Sequence, residues 1–435
     1  MPHPASPARW NNTTITLALL ILLAGGQGCS HETPLIPTPN LNLLPDGKKA
    51  FDAIPADQRN PEMEIIYAAD RSFTRKGLFI IEFGTGRSGV LIAGTAKVGF
   101  DRPLSWDELV ALSTSKDDHK RPNMRLNSAT ELGMLAVPLK EMIVREGRYV
   151  LSDTAKQQID EGTAKLYATL HERLAKSARK DVYIFVHGFN NNFNDAVFRL
   201  AMAWHMAGRS GVPIAYTWPA GYGGLFGYAY DRESGEFTVS HLRRFLQVVA
   251  ECPDVERIHL IAHSRGTDVA INALRELNIE YRAKDLATVK ELKLADLVLA
   301  APDVDAEVFE QRFAIEDLHL AASRTTVYLS RTDFALATSR WLFGGGNRLG
   351  NLLPQDFTPE ARSKLSDLKN FYLINCNVSG YSTSHDYAFV HPAVVSDLIL
   401  LLRDGKPPGA ENGRPLTSQF QGVWEIRNDY LRTPP

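Results

Sequence analysis

The hydrophobic positions divide the chain into two parts with different periodicities. Between residues 62 and 150, short apolar segments are separated by turn residues, which predicts a series of strands. From residue 180 onward, predicted strands alternate with helical patterns, and the first of them, Val182–Val186, is a continuous apolar segment. The later strands are predicted at Pro213–Trp218, Arg257–Ala262, Leu294–Ala300, Thr326–Ser330 and Phe371–Asn375. Continuous apolar segments are typical of parallel strands buried on both faces. The alternation therefore predicts an α/β fold, with a mostly parallel central sheet, right-handed crossovers and helices on both faces.

The ends of the chain lack this alternation and predict appendages to one main domain. We place that domain at residues 62–405, with N-terminal strands at 62–150 and the strand–helix core at 180–405. Residues 30–61 contain repeated prolines without an apolar period, which predicts an extended, solvated tether. Residues 406–435 have no strong pattern and are predicted to be a C-terminal tail.

The first residues predict export. The apolar segment Ile15–Ala24 is too short for a typical membrane span but has the length of a signal-peptide core. Small residues then lead to Cys29, so residues 1–29 resemble a bacterial lipoprotein signal, in which the cysteine is lipidated. The resemblance implies a cell-envelope protein anchored to the membrane, at the outer membrane or on the periplasmic side. Ordinary secretion and an uncleaved anchor are the alternatives.

Charge and cysteine content exclude several classes of protein. The chain has 48 basic and 50 acidic residues, a net charge of −2, so nothing in the total predicts a nucleic-acid partner. Of the three cysteines, Cys252 and Cys376 have no zinc or redox spacing, and we expect them to be core thiols. The sequence predicts no metal and no cofactor.

The strongest chemical motif is the segment Ala262–Gly266, which contains Ser264 between a buried strand and a helix. A small-x-Ser-x-Gly segment in this context is typical of a nucleophile elbow, where a tight turn exposes the serine hydroxyl above the sheet. The backbone N–H of Arg265 then faces the oxyanion that forms on a carbonyl attacked by the serine. We therefore predict Ser264 as a nucleophile and Arg265 as an oxyanion-hole donor.

A second motif, His187-Gly188-Phe189, follows the first long buried strand. In serine hydrolases with this strand arrangement, a loop at this place supplies the other oxyanion-hole N–H. Phe189 is the predicted donor, and Gly188 allows a close approach of the backbone. We expect His187 to hold the loop by hydrogen bonds rather than to act in catalysis.

A serine nucleophile also needs a base and an acid, which in this fold follow it in the order acid, then histidine. Three histidines come after Ser264, at 319, 385 and 391. His385 lies in a loop after the last predicted strand and is the predicted base, whereas His391 precedes Pro392 and is the weaker candidate. Asp333, just past a strand end, is the predicted acid, with Asp303 as the alternative.

Five short segments together carry a resemblance to a known family. They are Phe185–Asn191, Tyr216–Pro219, Tyr230–Ser234, Leu260–Gly266 and Ala300–Asp305. In this order they resemble the bacterial DUF900 group of α/β-hydrolase-fold proteins, over roughly residues 62–405. The resemblance implies an α/β-hydrolase fold and an esterase- or lipase-like activity. Arg265 stands where family members more often have Met, a difference that bears on substrate preference because the oxyanion hole needs only the backbone.

These residues predict a serine hydrolase that cleaves carboxylic esters through an acyl-enzyme intermediate. Its expected partner is a small-molecule ester or a lipid. An acyltransferase with the same three residues, and a non-catalytic envelope protein that binds ligands on this fold, are the alternatives. The sequence does not determine the oligomeric state or the natural acyl group.

Overall fold

The structure is a computed structural model that describes residues 32–76, 80–116, 121–333, 336, 348–352, 354–356, 358–380 and 385–432. Its strands are β1 (Met63–Lys76), β2 (Ile80–Phe100), β3 (Met124–Ala136), β4 (Met142–Arg145), β5 (Arg148–Leu151), β6 (Asp181–Val186), β7 (Val212–Thr217), β8 (Arg257–His263), β9 (Leu294–Ala300), β10 (Arg324–Leu329), β11 (Phe371–Asn377), β12 (Thr417–Phe420) and β13 (Val423–Arg427). Cys29 and the predicted signal segment lie outside the described residues.

One large sheet organises the described part of the chain. Its 11 strands have the order β12-β13-β11-β10-β9-β8-β6-β7-β1-β2-β3, while β4 and β5 form a separate hairpin. Every neighbouring pair from β13 to β1 is parallel, and the antiparallel pairs of this sheet are β12 with β13, β1 with β2 and β2 with β3. The predicted mostly parallel sheet is confirmed, with antiparallel strands confined to its two edges.

Helices cover both faces of this sheet. They are α1 (Lys49–Asp52), α2 (Trp106–Thr114), α3 (Asp153–Ala175), α4 (Phe193–Met206), α5 (Gly224–Glu251), α6 (Gly266–Arg282), α7 (Thr288–Glu291), α8 (Ala306–Glu310), α9 (Pro359–Asp367), α10 (Tyr387–Val390) and α11 (Pro392–Leu402). Leu166 of α3, Leu242 of α5 and Leu274 of α6 belong to the core on one face. Val197 of α4 and Val395 of α11 belong to the core on the other face.

The apolar sequence of β6 from Val182 to Val186 follows from the position of this strand between two cores. Val182, Ile184 and Val186 enter one core, whereas Tyr183 and Phe185 enter the other. Successive strand residues point to opposite faces, so a strand between two helical layers is apolar on both faces instead of alternating apolar and polar residues. Within the described residues, no helix has both the length and the hydrophobicity needed to cross a membrane.

The N-terminal strands are longer than the sequence predicts. The glycine-rich segment Phe83–Gly89 has the composition of the turns predicted between short strands, but it lies inside the 21-residue strand β2. Gly84 and Gly86 lie against Ser72 of β1, so close that an added Cβ on Gly84 would lie 2.6 Å from the serine hydroxyl. The pairing of β1 with β2 shifts register on both sides of Arg71. These glycines therefore serve an irregular strand pairing rather than a turn.

The segment predicted to be a solvated tether packs against the domain over its described residues, 32–61. Leu35, Phe51 and Ile54 are at most 2% exposed. The Asn40 amide donates to the carbonyl of Tyr430 over 2.7 Å, which joins this segment to the other end of the chain. Repeated prolines favour an extended backbone but do not require solvation, because isolated apolar side chains without a period can still be buried.

The predicted C-terminal tail contributes two strands to the main sheet. Strand β13 pairs in parallel with β11, and β12 pairs with β13. Arg414, just before these strands, is fully buried and donates two hydrogen bonds, of 2.8 and 2.7 Å, to the Asp397 carboxylate of α11. A buried ion pair that is broken on one side leaves an uncompensated charge, so this pair ties the C-terminal segment to the core.

Candidate active site

The carboxyl ends of adjacent parallel strands bring the predicted residues to one edge of the sheet. Ser264 follows β8, the segment with Phe189 follows the neighbouring strand β6, and Asp333 follows β10. His385 comes after β11, next to β10 in the sheet. In open α/β sheets this edge is the usual place for ligands.

Ser264 lies in a strained turn between β8 and α6. Its φ is 53°, in the left-handed region that costs a residue with a Cβ about 1–2 kcal/mol. A backbone hydrogen bond holds the turn to β9, since the Ser264 N–H donates to the Ala300 carbonyl over 2.9 Å. Gly266 lies so near the end of β6 that an added Cβ would be 2.2 Å from the His187 carbonyl oxygen. This geometry matches the predicted nucleophile elbow.

Gly188 lies directly against the serine. An added Cβ at Gly188 would lie 2.6 Å from Ser264 Cβ and 3.1 Å from its hydroxyl oxygen. Only a residue without a side chain fits between the β6 loop and the serine turn. The close approach brings the backbone of Gly188, the residue before the predicted donor Phe189, against the serine.

His385 and Asp333 form the shortest contact among the predicted residues. The His385 Nδ1–H donates to Asp333 Oδ2 over 2.6 Å, and Asp333 is buried. Burial alone would lower the pKa of His385, but the hydrogen bond and negative charge of Asp333 raise it above the ordinary 6.5. Among the described residues, the Ser264 hydroxyl has no hydrogen bond to the His385 ring; such bonds are often long without substrate.

The alternative candidates have other partners. Asp303 Oδ2 accepts from the Tyr228 hydroxyl over 2.9 Å, and Asp303 Oδ1 lies 3.4 Å from Arg348 Nε. His391 Nδ1 accepts from the Ala393 N–H over 3.3 Å, which makes it the N-cap of α11. The structure therefore pairs His385 with Asp333 and leaves His391 at a helix terminus.

A set of charged contacts that sequence reasoning missed holds the His385 turn. Asp386 accepts two hydrogen bonds from Arg199 of α4, over 2.5 and 3.0 Å. The His263 Nε2–H, from the residue before the serine, donates to the His385 carbonyl over 3.1 Å. Burial, with His385 and Arg199 nearby, lowers the pKa of His263 to about 3, so its ring is neutral. The sequence signal for this contact is that Asp386 directly follows the predicted base His385.

The loop that contains Phe189 is held by Asp231, a residue noted in the sequence only as part of a motif. Asp231 Oδ2 accepts from the Asn190 N–H over 2.9 Å and from the Gly221 N–H over 3.3 Å. Burial raises the pKa of Asp231 to about 6, an effect that these N–H donors partly oppose.

Arg265, the other predicted donor residue, is the N-cap of α6, and the first N–H groups of a helix have no partner within it.

The family comparison agrees with this architecture. A family model described as "Alpha/beta hydrolase of unknown function (DUF900)" matches residues 163–403. The chain belongs to the DUF900 family. The DUF900 region contains the strands from β6 to β11 and the residues Ser264, Asp333 and His385. Strands β1, β2 and β3 precede it.

Other comparisons add little to the DUF900 assignment. No curated protein matches the chain. Among solved structures, the chain is similar to a thioesterase domain from the curacin biosynthetic pathway, with 16% identity and a TM-score of 0.25. That match covers 51% of this chain and 91% of the thioesterase domain.

The contact between Gly188 and Ser264 makes a prediction about stability that does not depend on activity. Gly188→Ala should lower the free energy of unfolding by about 1–3 kcal/mol, because the new methyl group overlaps Ser264 Cβ. Combined with Ser264→Gly, which removes that Cβ, the same change should cost at least about 1 kcal/mol less. Urea denaturation of the single and double variants measures the difference.

Ser264→Ala is the matched control for this cycle, since it removes the hydroxyl but keeps the Cβ. In that background Gly188→Ala should cost nearly as much as in the wild-type protein. An equal cost in all three backgrounds would show that the loop does not press against the serine.

Proposed function

We propose that this protein is a serine hydrolase that cleaves carboxylic esters. The observation that carries the proposal is the buried Asp333–His385 hydrogen bond at the sheet edge where Ser264 stands in a strained turn. Strained backbone at a polar residue is found mainly at functional sites. An imidazole oriented by a carboxylate beside such a serine is the arrangement that acyl transfer needs.

Each residue has a distinct role in the proposed reaction. Ser264 Oγ attacks the ester carbonyl carbon while His385 Nε2 takes the hydroxyl proton. Asp333 keeps the other ring nitrogen, Nδ1, protonated and stabilises the imidazolium. The N–H groups of Phe189 and Arg265 donate to the oxyanion. His385 then gives its proton to the leaving alcohol, and water releases the acid from the acyl-serine by the same steps.

The surface near Tyr228 supports an apolar acyl group. Tyr222 is 62% exposed and Phe226 is 91% exposed, at the start of α5. The same segment reaches the site, because the Tyr228 ring lies 5.4 Å from the Phe189 ring. Exposed aromatic side chains beside a reactive serine favour esters with a hydrocarbon acyl part over small polar ones.

Two other activities fit the same residues and are separated by experiment. An acyltransferase would form the same acyl-serine but pass the acyl group to an alcohol or amine acceptor rather than to water. A non-catalytic binding protein would not react at Ser264. Product analysis with and without added alcohol distinguishes the first alternative, and the absence of acyl-serine distinguishes the second.

The nucleophile assignment predicts the effect of Ser264→Ala. The variant should lose ester hydrolysis by roughly 10³-fold or more, because the three residues act as a unit. The measurement is the hydrolysis of a p-nitrophenyl ester series of increasing acyl length, with circular dichroism to show that the fold is kept. A variant that retains wild-type activity would contradict the assignment.

The raised pKa of His385 predicts the pH dependence. His385 must be neutral to accept a proton, so kcat/KM should fall as the pH drops, with a midpoint above 6.5. Asp333→Asn removes the charge that raises the pKa, so the midpoint should move to lower pH. The rate should also fall by roughly 10³–10⁴-fold, since Nδ1 is no longer held protonated.

Asp303→Asn is the control for this prediction, because the Asp303 carboxylate accepts from Tyr228 and raises the pKa of His385 less than Asp333 does. It should change kcat/KM less than about tenfold, the scale of a single lost hydrogen bond. A larger loss from Asp303→Asn than from Asp333→Asn would assign the acid to Asp303 and leave the reaction class intact.

The N-terminal motif predicts the location of the enzyme. We propose that Cys29 is lipidated after cleavage, which anchors the protein to the cell envelope. Several acyl chains give stable attachment, whereas one chain binds only marginally. Cys29→Ser should therefore move the protein from the membrane fraction to the soluble fraction with unchanged hydrolysis. A wild-type mature N-terminus other than residue 29 would contradict the anchor and indicate ordinary secretion.

A further inference from the structure

A fully buried arginine from the N-terminal strands reaches the candidate site. Arg71 belongs to β1, at the irregular pairing with β2, and precedes the DUF900 region. Its Nη2 donates to the carbonyl of Asn191 over 3.1 Å and to the carbonyl of Trp218. These carbonyls belong to the loops after β6 and β7. Arg71 therefore connects two loops at the edge of the sheet that holds Ser264.

The same guanidinium contacts the ring of His187. Arg71 Nη2 lies 3.2 Å from His187 Nε2, and the Trp218 backbone N–H lies 3.1 Å from that same nitrogen. Guanidinium and amide N–H groups can only donate, so Nε2 must be the unprotonated, accepting nitrogen. The proton of the neutral ring is then on Nδ1.

The charge of Arg71 also keeps His187 neutral. Burial lowers the pKa of His187 well below 6.5, and the nearby Arg71 charge lowers it further. Burial lowers the pKa of Arg71 itself to about 10, so the guanidinium stays charged at neutral pH. The state with a proton on Nδ1 alone is thus favoured over both the cation and the other tautomer.

The Nδ1–H of His187 acts on the peptide group that contains the proposed oxyanion donor. It donates to the Gly188 carbonyl over 3.0 Å. The Gly188 C=O and the Phe189 N–H belong to one planar trans peptide and point in opposite directions. A hydrogen bond that fixes the carbonyl therefore fixes the direction of the Phe189 N–H.

A second anchor fixes the next peptide group. The Asn190 N–H is held by Asp231, and Asn190 has a φ of 55°, a left-handed conformation that asparagine tolerates better than most residues. The loop is therefore held on both sides of Phe189. Its donor direction depends on side chains that do not themselves reach the reacting atoms.

We propose that Arg71 is a positioning residue for the oxyanion hole, acting through the tautomer of His187 on the direction of the Phe189 N–H. The proposal rests on the proposed hydrolase function for its catalytic consequence. It also gives the N-terminal strands a role, because they supply Arg71, which lies outside the DUF900 region. Substrate binding itself is not expected to depend on Arg71.

The first test reads the tautomer directly and needs neither activity nor a variant of Arg71. In protein labelled with ¹⁵N-histidine, the His187 signals are identified by their loss in His187→Gln. They should show a proton on Nδ1 only, unchanged between pH 5 and pH 8. A proton on Nε2, or titration within this range, would overturn the proposal whether or not the protein hydrolyses esters.

The second test separates orientation from general destabilisation. Arg71→Met should lower kcat by about 10- to 100-fold, with KM changed less than about threefold, because an oxyanion hole acts on the transition state. Inhibition by an alkyl boronic acid, which forms a tetrahedral adduct on the serine, should weaken in parallel. Arg71→Lys keeps a charge and one donor, and should give an intermediate kcat.

Two matched variants complete the kinetic test. Arg75→Met, on the same strand, removes an exposed arginine paired with Glu131 and should leave kcat unchanged. His187→Asn can still donate from the position of Nδ1 and should retain far more activity than His187→Leu. Equal losses in these two His187 variants, or an Arg71→Met effect confined to KM, would contradict the proposal. A wild-type protein without hydrolysis but with the expected tautomer would reject the proposed function alone.

Discussion

The close approach of the β6 loop to the serine turn is the constraint on which the site depends. Strand β8 is followed by Ser264, which has a left-handed conformation, and the loop after β6 lies directly against that residue. Gly188 and Gly266 are the residues that make this approach possible, since a Cβ at either would overlap neighbouring atoms. The proposed oxyanion hole requires this approach, because its Phe189 N–H belongs to the loop after β6.

Charged side chains hold the loops at this end of the sheet in one arrangement. Arg199 and Asp386 hold the turn with His385, while Arg71 and Asp231 hold the loops after β6 and β7. The surroundings of the histidines also shift their pKa values in different directions. Burial and nearby positive charge keep His187 and His263 neutral, whereas Asp333 raises the pKa of His385. Of these three histidines, His385 is the one whose pKa is raised, as a base that accepts a proton near neutral pH requires.

The core strands could be predicted because strands between two helical layers are mostly apolar on both faces. Strand β9 has the predicted bounds, Leu294–Ala300, and β6, β8, β10 and β11 differ from prediction by a few residues. The positions of Ser264, Asp333 and His385 followed from strand ends and chain order. These signals are local in the sequence.

The remaining features depend on contacts between distant segments. Residues 32–61 and the strands β12 and β13 are held by pairs such as Asn40 with Tyr430 and Arg414 with Asp397. Nothing in the local pattern identifies such partners. Arg71 has the same character, because its role follows from an irregular pairing of β1 with β2 that places it beside the β6 and β7 loops. Tertiary burial also explains the glycine-rich stretch within β2, where local composition indicated a turn.

The central claim is that Ser264 is the nucleophile of an acyl-transfer site, and covalent labelling tests it most directly. The wild-type protein would be treated with a fluorophosphonate probe and the modified peptide identified by mass spectrometry. We expect one adduct, on Ser264, that forms much more slowly when His385 is replaced by alanine. An adduct on a different residue, or no adduct with a folded protein, would contradict the account.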